Sequence, residues 1–288
     1  MRILVTGAKG LIGTSLVRSF QEQHIDVIPL ARMSPSWDPG QGIVMPETFE
    51  GINAVIHLAG ANIASKRWTK RRMRELFQSR CRDTWLLSHA LSRLKKPPSL
   101  FVSVSAIGYY GDRGEASLTE ESGPGTGFLA ELCQQWERAS EVLEAKGIRV
   151  VHPRLGSVIT PKGGMVAKLL PLFKRGFGAV LGTGEQWFSW IALEDAIAAF
   201  HHVLKREDLR GPVNFTSPHS VRNKELSEAL SRACHKKLRM RIPAPLLRLA
   251  LGKMAGELLL ASTKVYPEKL IETGFVFKKP EFAAALIP

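Results

Sequence analysis

The sequence predicts an α/β protein built on a doubly wound parallel sheet, with a smaller α/β lobe in its C-terminal half. Three observations carry that expectation. Short, continuously apolar runs alternate with helical patterns through the first half, as strands covered on both faces of a parallel sheet require. The first run passes directly into Gly7-Ala-Lys-Gly10-Leu-Ile-Gly13 and then a helix, the strand–turn–helix order of a dinucleotide-binding unit. Beyond Arg154, glycines cluster at 163, 164, 176, 178, 182 and 184 and strand signals shorten, so the architecture changes there.

Taken in order, strands are expected over 3–6, 27–30, 54–58, 100–104 and 148–152, and helices over 11–23, 69–95 and 128–146. The 69–95 stretch is long for one helix. Even so, Met73, Leu76, Phe77, Arg80, Thr84, Leu87 and Leu91 keep helical spacing, and Pro97-Pro98 ends it. In the second half, helices are expected over 165–175, 193–205, 223–235 and 245–260. The domain reading is a nucleotide-binding Rossmann domain over 1–160 and a smaller substrate lobe over 161–288, intertwined with the first. The lobe is expected over the C-terminal edge of the sheet, where open α/β sheets bind ligands.

Composition narrows the function. The 288 residues suffice for a full core, and no apolar run reaches the roughly 18 residues of a membrane span. The chain opens on a strand and glycine turn, which reads as no signal peptide. Cys81, Cys133 and Cys234 are odd in number and without Cys-x-x-Cys spacing, so they read as free thiols of a reducing cytoplasm. The eight histidines lack metal-ligand spacing, and no metal and no membrane partner is expected. A net charge of +14 points to an anionic partner. The densest basic run is 66–74, with a weaker one over 236–241. Each is either a solvated helix face or a polyanion surface. Nucleic acid is disfavoured, because no stacking rows or nucleic-acid module accompany the charge.

The glycine frame has a physical reading. Gly7 allows the turn, Gly10 lets backbone approach a pyrophosphate, and Gly13 lets helix pack on strand. Leu11 and Ile12 open the helix whose N–H groups and dipole face the phosphates, and Lys9 adds charge. The adenine ribose is read about 20 residues on. There Leu30-Ala31-Arg32-Met33-Ser34 offers no carboxylate and one arginine. A guanidinium matches a 2′-phosphate, so Ala31 and Arg32 select NADP (NADPH) over NAD; the alternative is a solvated surface arginine. Val55-Ile-His-Leu-Ala-Gly60 ends a strand in small residues, suited to a cofactor passing over the sheet edge.

With these residues, Ser103-Val-Ser-Ala-Ile-Gly-Tyr-Tyr-Gly111 and Gly182-Thr-Gly-Glu-Gln-Trp-Phe-Ser-Trp-Ile191 in view, the chain resembles the extended short-chain dehydrogenase/reductases. Gly60-Ala-Asn-Ile63, Arg67-Trp68, Ser79-Arg80, Pro153-Arg-Leu-Gly156 and Gly274-Phe-Val-Phe277 resemble its atypical "epimerase family" subgroup over essentially the whole chain. Members of that group carry the labels nucleoside-diphosphate sugar epimerase and cell-division inhibitor. The resemblance implies cofactor contacts at Leu58, Ala59, Gly60, Glu75 and Arg80, and at Val104, Pro153 and Arg154. For Arg80 the alternative is a salt bridge, to Glu75 or Glu131.

The wider family's chemistry uses Ser or Thr with Tyr-x-x-x-Lys. Ser105 matches the hydroxyl, but Phe128-Leu-Ala-Glu-Leu132 stands where the tyrosine and lysine belong. Tyr109 and Tyr110 either substitute as the acid or pack the loop. Trp187 and Trp190 either wall a substrate or fill the core. Three functions follow: an NADP-dependent oxidoreductase or nucleotide-sugar epimerase with altered acid–base groups, a catalytically silent NADP-binding regulator or sensor, and a polyanion binder through 66–74. The small-molecule substrate is unnamed by the sequence, and a homodimer is allowed by analogy alone.

Overall fold

Strands β1 (Arg2–Thr6), β2 (Asp26–Leu30), β3 (Ala54–His57), β4 (Leu100–Ser103), β5 (Arg149–Leu155) and β6 (Gly211–Phe215) form the main sheet in the order β6-β5-β4-β3-β1-β2. A short strand, Ser105–Ala106, also pairs with β5. All pairings from β2 across to β5 are parallel. This is the doubly wound arrangement expected from the apolar runs, with the order reversing at β1 and β3. The computed structural model describes residues 1–31, 34 and 36–286.

The chain forms two units. The first comprises Met1–Ser105, Leu132–Pro153 and Glu207–Val213. Its strands are buried because both faces are packed; Leu4, Val55, Phe101 and Val150 meet Leu87 and Leu91 of the helical layer in one apolar cluster. Helix α1 (Leu11–Glu22) follows β1. The long 69–95 pattern becomes α2 (Lys70–Phe77), a π-helical turn (Gln78–Arg82) and α3 (Asp83–Leu91). Thr69 starts it by accepting the Arg72 N–H. The extra residue in the π turn shifts the helical phase. Of the expected stripe, Leu76, Thr84, Leu87 and Leu91 are buried, whereas Phe77, next to Leu76 and on a different face of α2, is exposed.

The second unit comprises Ala106–Glu131, Arg154–Arg206 and Asn214–Pro288. It is the larger of the two, not the smaller lobe expected, because residues 106–131 and 154–160 belong to it. Helix α4 (Phe128–Arg138) begins here. It stops well short of residue 146 because the Ser140 hydroxyl donates to the Glu137 carbonyl and diverts the chain into a separate turn, Glu141–Glu144. Helices α5 (Gly164–Lys174) and α7 (Asn223–Ala233) pack around Ile159, Phe173, Trp190, Leu230 and Phe282, and α6 (Leu193–Lys205) follows the strand that carries Trp190. The expected 245–260 helix divides at Gly252, whose φ of +62° suits glycine. Helix α8 (Ala244–Leu251) precedes the break, and a π-helical segment, Ala255–Leu260, follows it. Among the described residues, no helix is long and apolar enough to cross a membrane.

Candidate functional site

The glycine turn is built as tightly as the sequence implied. Gly7 has φ +69°, and a Cβ there would lie 2.8 Å from the Leu58 carbonyl carbon and 2.9 Å from the Ala59 nitrogen. At Gly13 a Cβ would come within 2.3 Å of the Gly7 oxygen, so helix and turn close on one another only without a side chain. Gly10 differs. Its N–H bonds the Gly7 carbonyl at 2.9 Å, and among the described residues beyond its chain neighbours the same carbonyl, at 3.2 Å, is the only group within 4 Å of a Cβ added there. The outer side of Gly10 is therefore open to an approaching group. It is also the N-cap of α1 and offers no capping side chain, so the first helical N–H groups keep their bonding capacity. Lys9 is exposed beside this turn, and Leu11 and Ile12 are half-buried.

Beneath the turn, Thr6 ties two strands together. Its hydroxyl lies 2.7 Å from His57 Nδ1 and accepts the Ala59 N–H at 3.3 Å. His57 is fully buried, stacked on Phe101 and edge-on to Trp37. Burial lowers its pKa to about 4, so the ring is neutral at ordinary pH. These bonds hold Leu58 and Ala59 against Gly7. Ala31 is half-buried at the end of β2, and Arg32 lies outside the described residues.

Arg80 sits next to this edge. The π turn aims Ser79 and Arg80 at the 59–61 loop: Ser79 Oγ accepts the Ala61 N–H at 3.1 Å, and a Cβ on Gly60 would meet Arg80 Cζ at 3.4 Å. The guanidinium lies 5.1 Å from the Trp136 ring centre and 3.5 Å from the Leu76 carbonyl. Among the described residues no carboxylate pairs with it, and burial depresses its pKa. The salt bridge to Glu75 or Glu131 is not formed. Glu75 instead pairs with Arg72 at 2.7 Å and is exposed; Arg72 holds its carboxyl below the usual range. Arg72 itself turns inward onto the Asn62 carbonyl and Ser65 Oγ, so the 66–74 run is not uniformly a solvated face.

Ser105 is buried, and its hydroxyl donates to Glu137 Oε1 at 2.7 Å. Val104, also buried, donates its N–H to the His57 carbonyl. Pro153 is buried within β5. Glu137 was absent from the sequence reading because nothing along the chain relates residues 105 and 137. Packing of α4 onto the sheet brings them together.

In the second unit, Tyr109, Tyr110 and Arg154 form one cluster. Arg154 Cζ lies 3.5 Å from the Tyr109 ring centre, and Arg154 Nη1 donates to the Tyr110 hydroxyl at 3.0 Å. Tyr110 in turn donates to Asn214 Oδ1 at 2.7 Å. Tyr110 is 0% exposed, and burial pushes its phenol up to about 12 against the pull of Arg154. Its acid role is therefore withdrawn, since both bonding capacities of the hydroxyl are spent on protein. Arg154 is likewise committed to the tyrosine pair and buried, which argues against its serving the cofactor. Tyr109 is half-buried and keeps its hydroxyl clear of these bonds. The first N–H groups of α4, at Phe128 and Leu129, bond the Glu257 carboxylate at 3.1 and 2.7 Å.

The two tryptophans separate. Trp190 is wholly buried in the apolar cluster of the second unit and donates to the His219 carbonyl, so it is core and no substrate wall. Trp187 is half-buried between Arg222, 3.9 Å from its ring centre, and Lys264, at 4.7 Å, and donates to Glu115. Among the described residues, no group of three or more His, Cys, Asp or Glu is placed to hold a metal.

Comparison with known proteins places the fold in a family. The model of the NAD dependent epimerase/dehydratase family matches residues 3–215, and a domain of unknown function, DUF1731, matches 242–287. An epimerase family protein of Mycobacterium tuberculosis is 36% identical over 290 residues, covering 99% of this chain and 96% of the relative. The human epimerase family protein SDR39U1 is 30% identical over 293 residues, covering 99% and 98%. A crystal structure of human SDR39U1 (isoform 2) with NADPH superposes with a TM-score of 0.88 at 28% identity, over 99% of this chain and 97% of that one. A nucleoside-diphosphate sugar epimerase from Corynebacterium glutamicum superposes with a TM-score of 0.80 at 30% identity, over 99% of this chain and 57% of that one.

Proposed function

The chain belongs to the NAD dependent epimerase/dehydratase family, and we propose that it binds NADPH along the glycine turn of its first unit and acts as a redox enzyme on a carbinol or carbonyl carbon. That is the chemistry an oxidoreductase and a nucleotide-sugar epimerase share. The observation that carries the reading is Arg80, a half-buried arginine paired with no carboxylate among the described residues, lying against Gly60 next to a turn whose outer side is open. A desolvated cation calls for an anion, and a dinucleotide phosphate supplies one. The human relative's complex with NADPH supports the choice of cofactor, as does the absence of a carboxylate after β2, where Arg32 is the proposed reader of the 2′-phosphate.

The residues fit such a ligand. The turn amides and the start of α1 would take the diphosphate, with Lys9 nearby and Leu58 and Ala59 forming the floor. Bound NADPH supplies a hydride. Ser105 would position the reacting oxygen, and Glu137 fixes where the Ser105 proton points. A second reading, a silent NADP-binding regulator, is favoured by one observation. Phe128 and Leu132 replace the phenol and the ammonium, and Tyr110 is spent.

Calorimetry and absorbance together test both. Arg32→Glu should weaken NADPH binding by about 2–4 kcal/mol and NADH binding far less; equal losses would remove Arg32 from the site. With NADPH and a panel of carbonyls and quinones, or NADP+ and a panel of alcohols and nucleotide sugars, reduced-nicotinamide absorbance should fall in the first case and rise in the second, and Ser105→Ala should abolish the change while preserving affinity. Tight binding without turnover on any substrate would favour the regulator.

A further inference from the structure

Two stretches of the second unit are basic and wholly without acid. Residues 154–184 carry five Lys and Arg and no Asp or Glu, and residues 229–256 carry seven and none. The fold joins them. Ala179–Leu181 pairs in parallel with Met240–Ile242, with Ala179 opposite Met240; α5 leads towards the first strand and α8 follows the second. On these same segments large apolar side chains stand in solvent. Leu172, Phe177, Met240, Leu246 and Leu249 are between 44% and 76% exposed. Leu246 and Leu249 are three apart on α8 and so share a face, and Leu247 alone of that helix is buried. Lys174, Arg175, Arg239, Arg241, Arg248 and Lys253 are exposed among them.

The combination selects a partner. Exposed apolar side chains concentrated on two segments that a strand pair joins mark an interaction site. Two copies meeting through this surface would set cations mainly against cations, since neither stretch carries a carboxylate of its own, which disfavours self-association. Nucleic acid takes cations with aromatic stacking, whereas here four of the five apolar side chains are aliphatic. Aliphatic tips among lysines and arginines match the acyl boundary and phosphate layer of an anionic bilayer. We propose that this face of the second unit docks peripherally on a membrane of anionic phospholipid, with Leu246, Leu249 and Phe177 entering the interface and the surrounding cations meeting headgroup phosphates. The expectation of no membrane partner rested on the lack of a spanning run, and surface docking needs none.

The test is co-sedimentation of the full chain with vesicles of phosphatidylcholine containing about one quarter phosphatidylglycerol. Binding is expected to these vesicles and not to pure phosphatidylcholine, and to weaken with salt. The pair Leu246→Ser and Leu249→Ser should weaken partitioning about tenfold or more, as should Arg239→Gln with Arg241→Gln. Lys70→Gln with Arg71→Gln, on the first unit, should leave it unchanged. All the substituted side chains are exposed, and matched melting curves establish that the variants fold. Failure to sediment with anionic vesicles overturns the proposal. So does binding that the leucine pair does not alter, which would mean plain polyanion attraction. A dimer in solution that the leucine pair dissolves would show instead that the face is covered by a second copy.

Discussion

Replacing Arg80 with methionine should move stability and cofactor affinity in opposite directions. Arg80 is half-buried, with its pKa depressed by burial, and its partners among the described residues are the Trp136 ring at 5.1 Å and one carbonyl at 3.5 Å. Desolvating an ion costs several kcal/mol; the ring returns about 1–2 kcal/mol, and a carbonyl at that distance returns little. Methionine keeps the apolar stem, so the ligand-free protein should gain about 1–2 kcal/mol, a rise of a few degrees in melting temperature. NADPH would lose a charge-assisted contact of about 1.5–3 kcal/mol, a roughly 10–150-fold weaker Kd. Differential scanning calorimetry of the ligand-free variant and titration calorimetry with NADPH read the two terms separately. A less stable Arg80→Met protein that binds NADPH within about twofold of wild type would refute the reasoning, because Arg80 would then be a structural pillar.

Two further outcomes follow from buried groups. His57 has a folded-state pKa of about 4 against 6.5 when exposed, so the unfolded chain binds the extra proton between those values. Stability is full above pH 6.5 and falls by about 3 kcal/mol as the pH drops to 4. Urea titrations of wild type and His57→Gln should therefore converge on acidification, and parallel curves would contradict the assignment. Tyr110→Phe leaves the Asn214 oxygen and an Arg154 N–H buried with a lost partner. It should cost about 2–4 kcal/mol while leaving NADPH affinity unchanged; a change within about 0.5 kcal/mol would mean the cluster relaxes freely.

The parallel sheet and the glycine turn were legible because each follows from local rules. Apolar runs flanked by helices define β1 to β5, and Gly7, Gly10 and Gly13 do different work at spacings the sequence displays. Arg80 was also legible, as an inward charge on an apolar stripe, although the π turn that aims it shifts the phase on which that argument relied. What stayed hidden is tertiary pairing. Ser105 meets Glu137, Thr6 meets His57, and Phe128 meets Glu257 across 32, 51 and 129 residues, and no periodicity encodes such partners. The tryptophans show the same limit: Trp187 and Trp190 lie three residues apart, yet one is core and the other is clasped by cations.

The reworked helix bears on the direction of the proposed chemistry. A phenol–ammonium pair in its first turns would lend a proton and stabilise an oxyanion. Helix α4 instead binds the Glu257 carboxylate at its first N–H groups and presents Glu137 to Ser105 from its last turn. The Ser105 hydroxyl has one proton, and while it is given to Glu137, Oγ offers only lone pairs to a substrate. Such an oxygen accepts from an alcohol more readily than it donates to a carbonyl. Reduction would first require the Ser105 proton to turn away from Glu137, or Glu137 itself to be protonated. The arrangement thus favours hydride removal from a carbinol, where the proton leaving the substrate oxygen has an acceptor in Ser105 backed by Glu137.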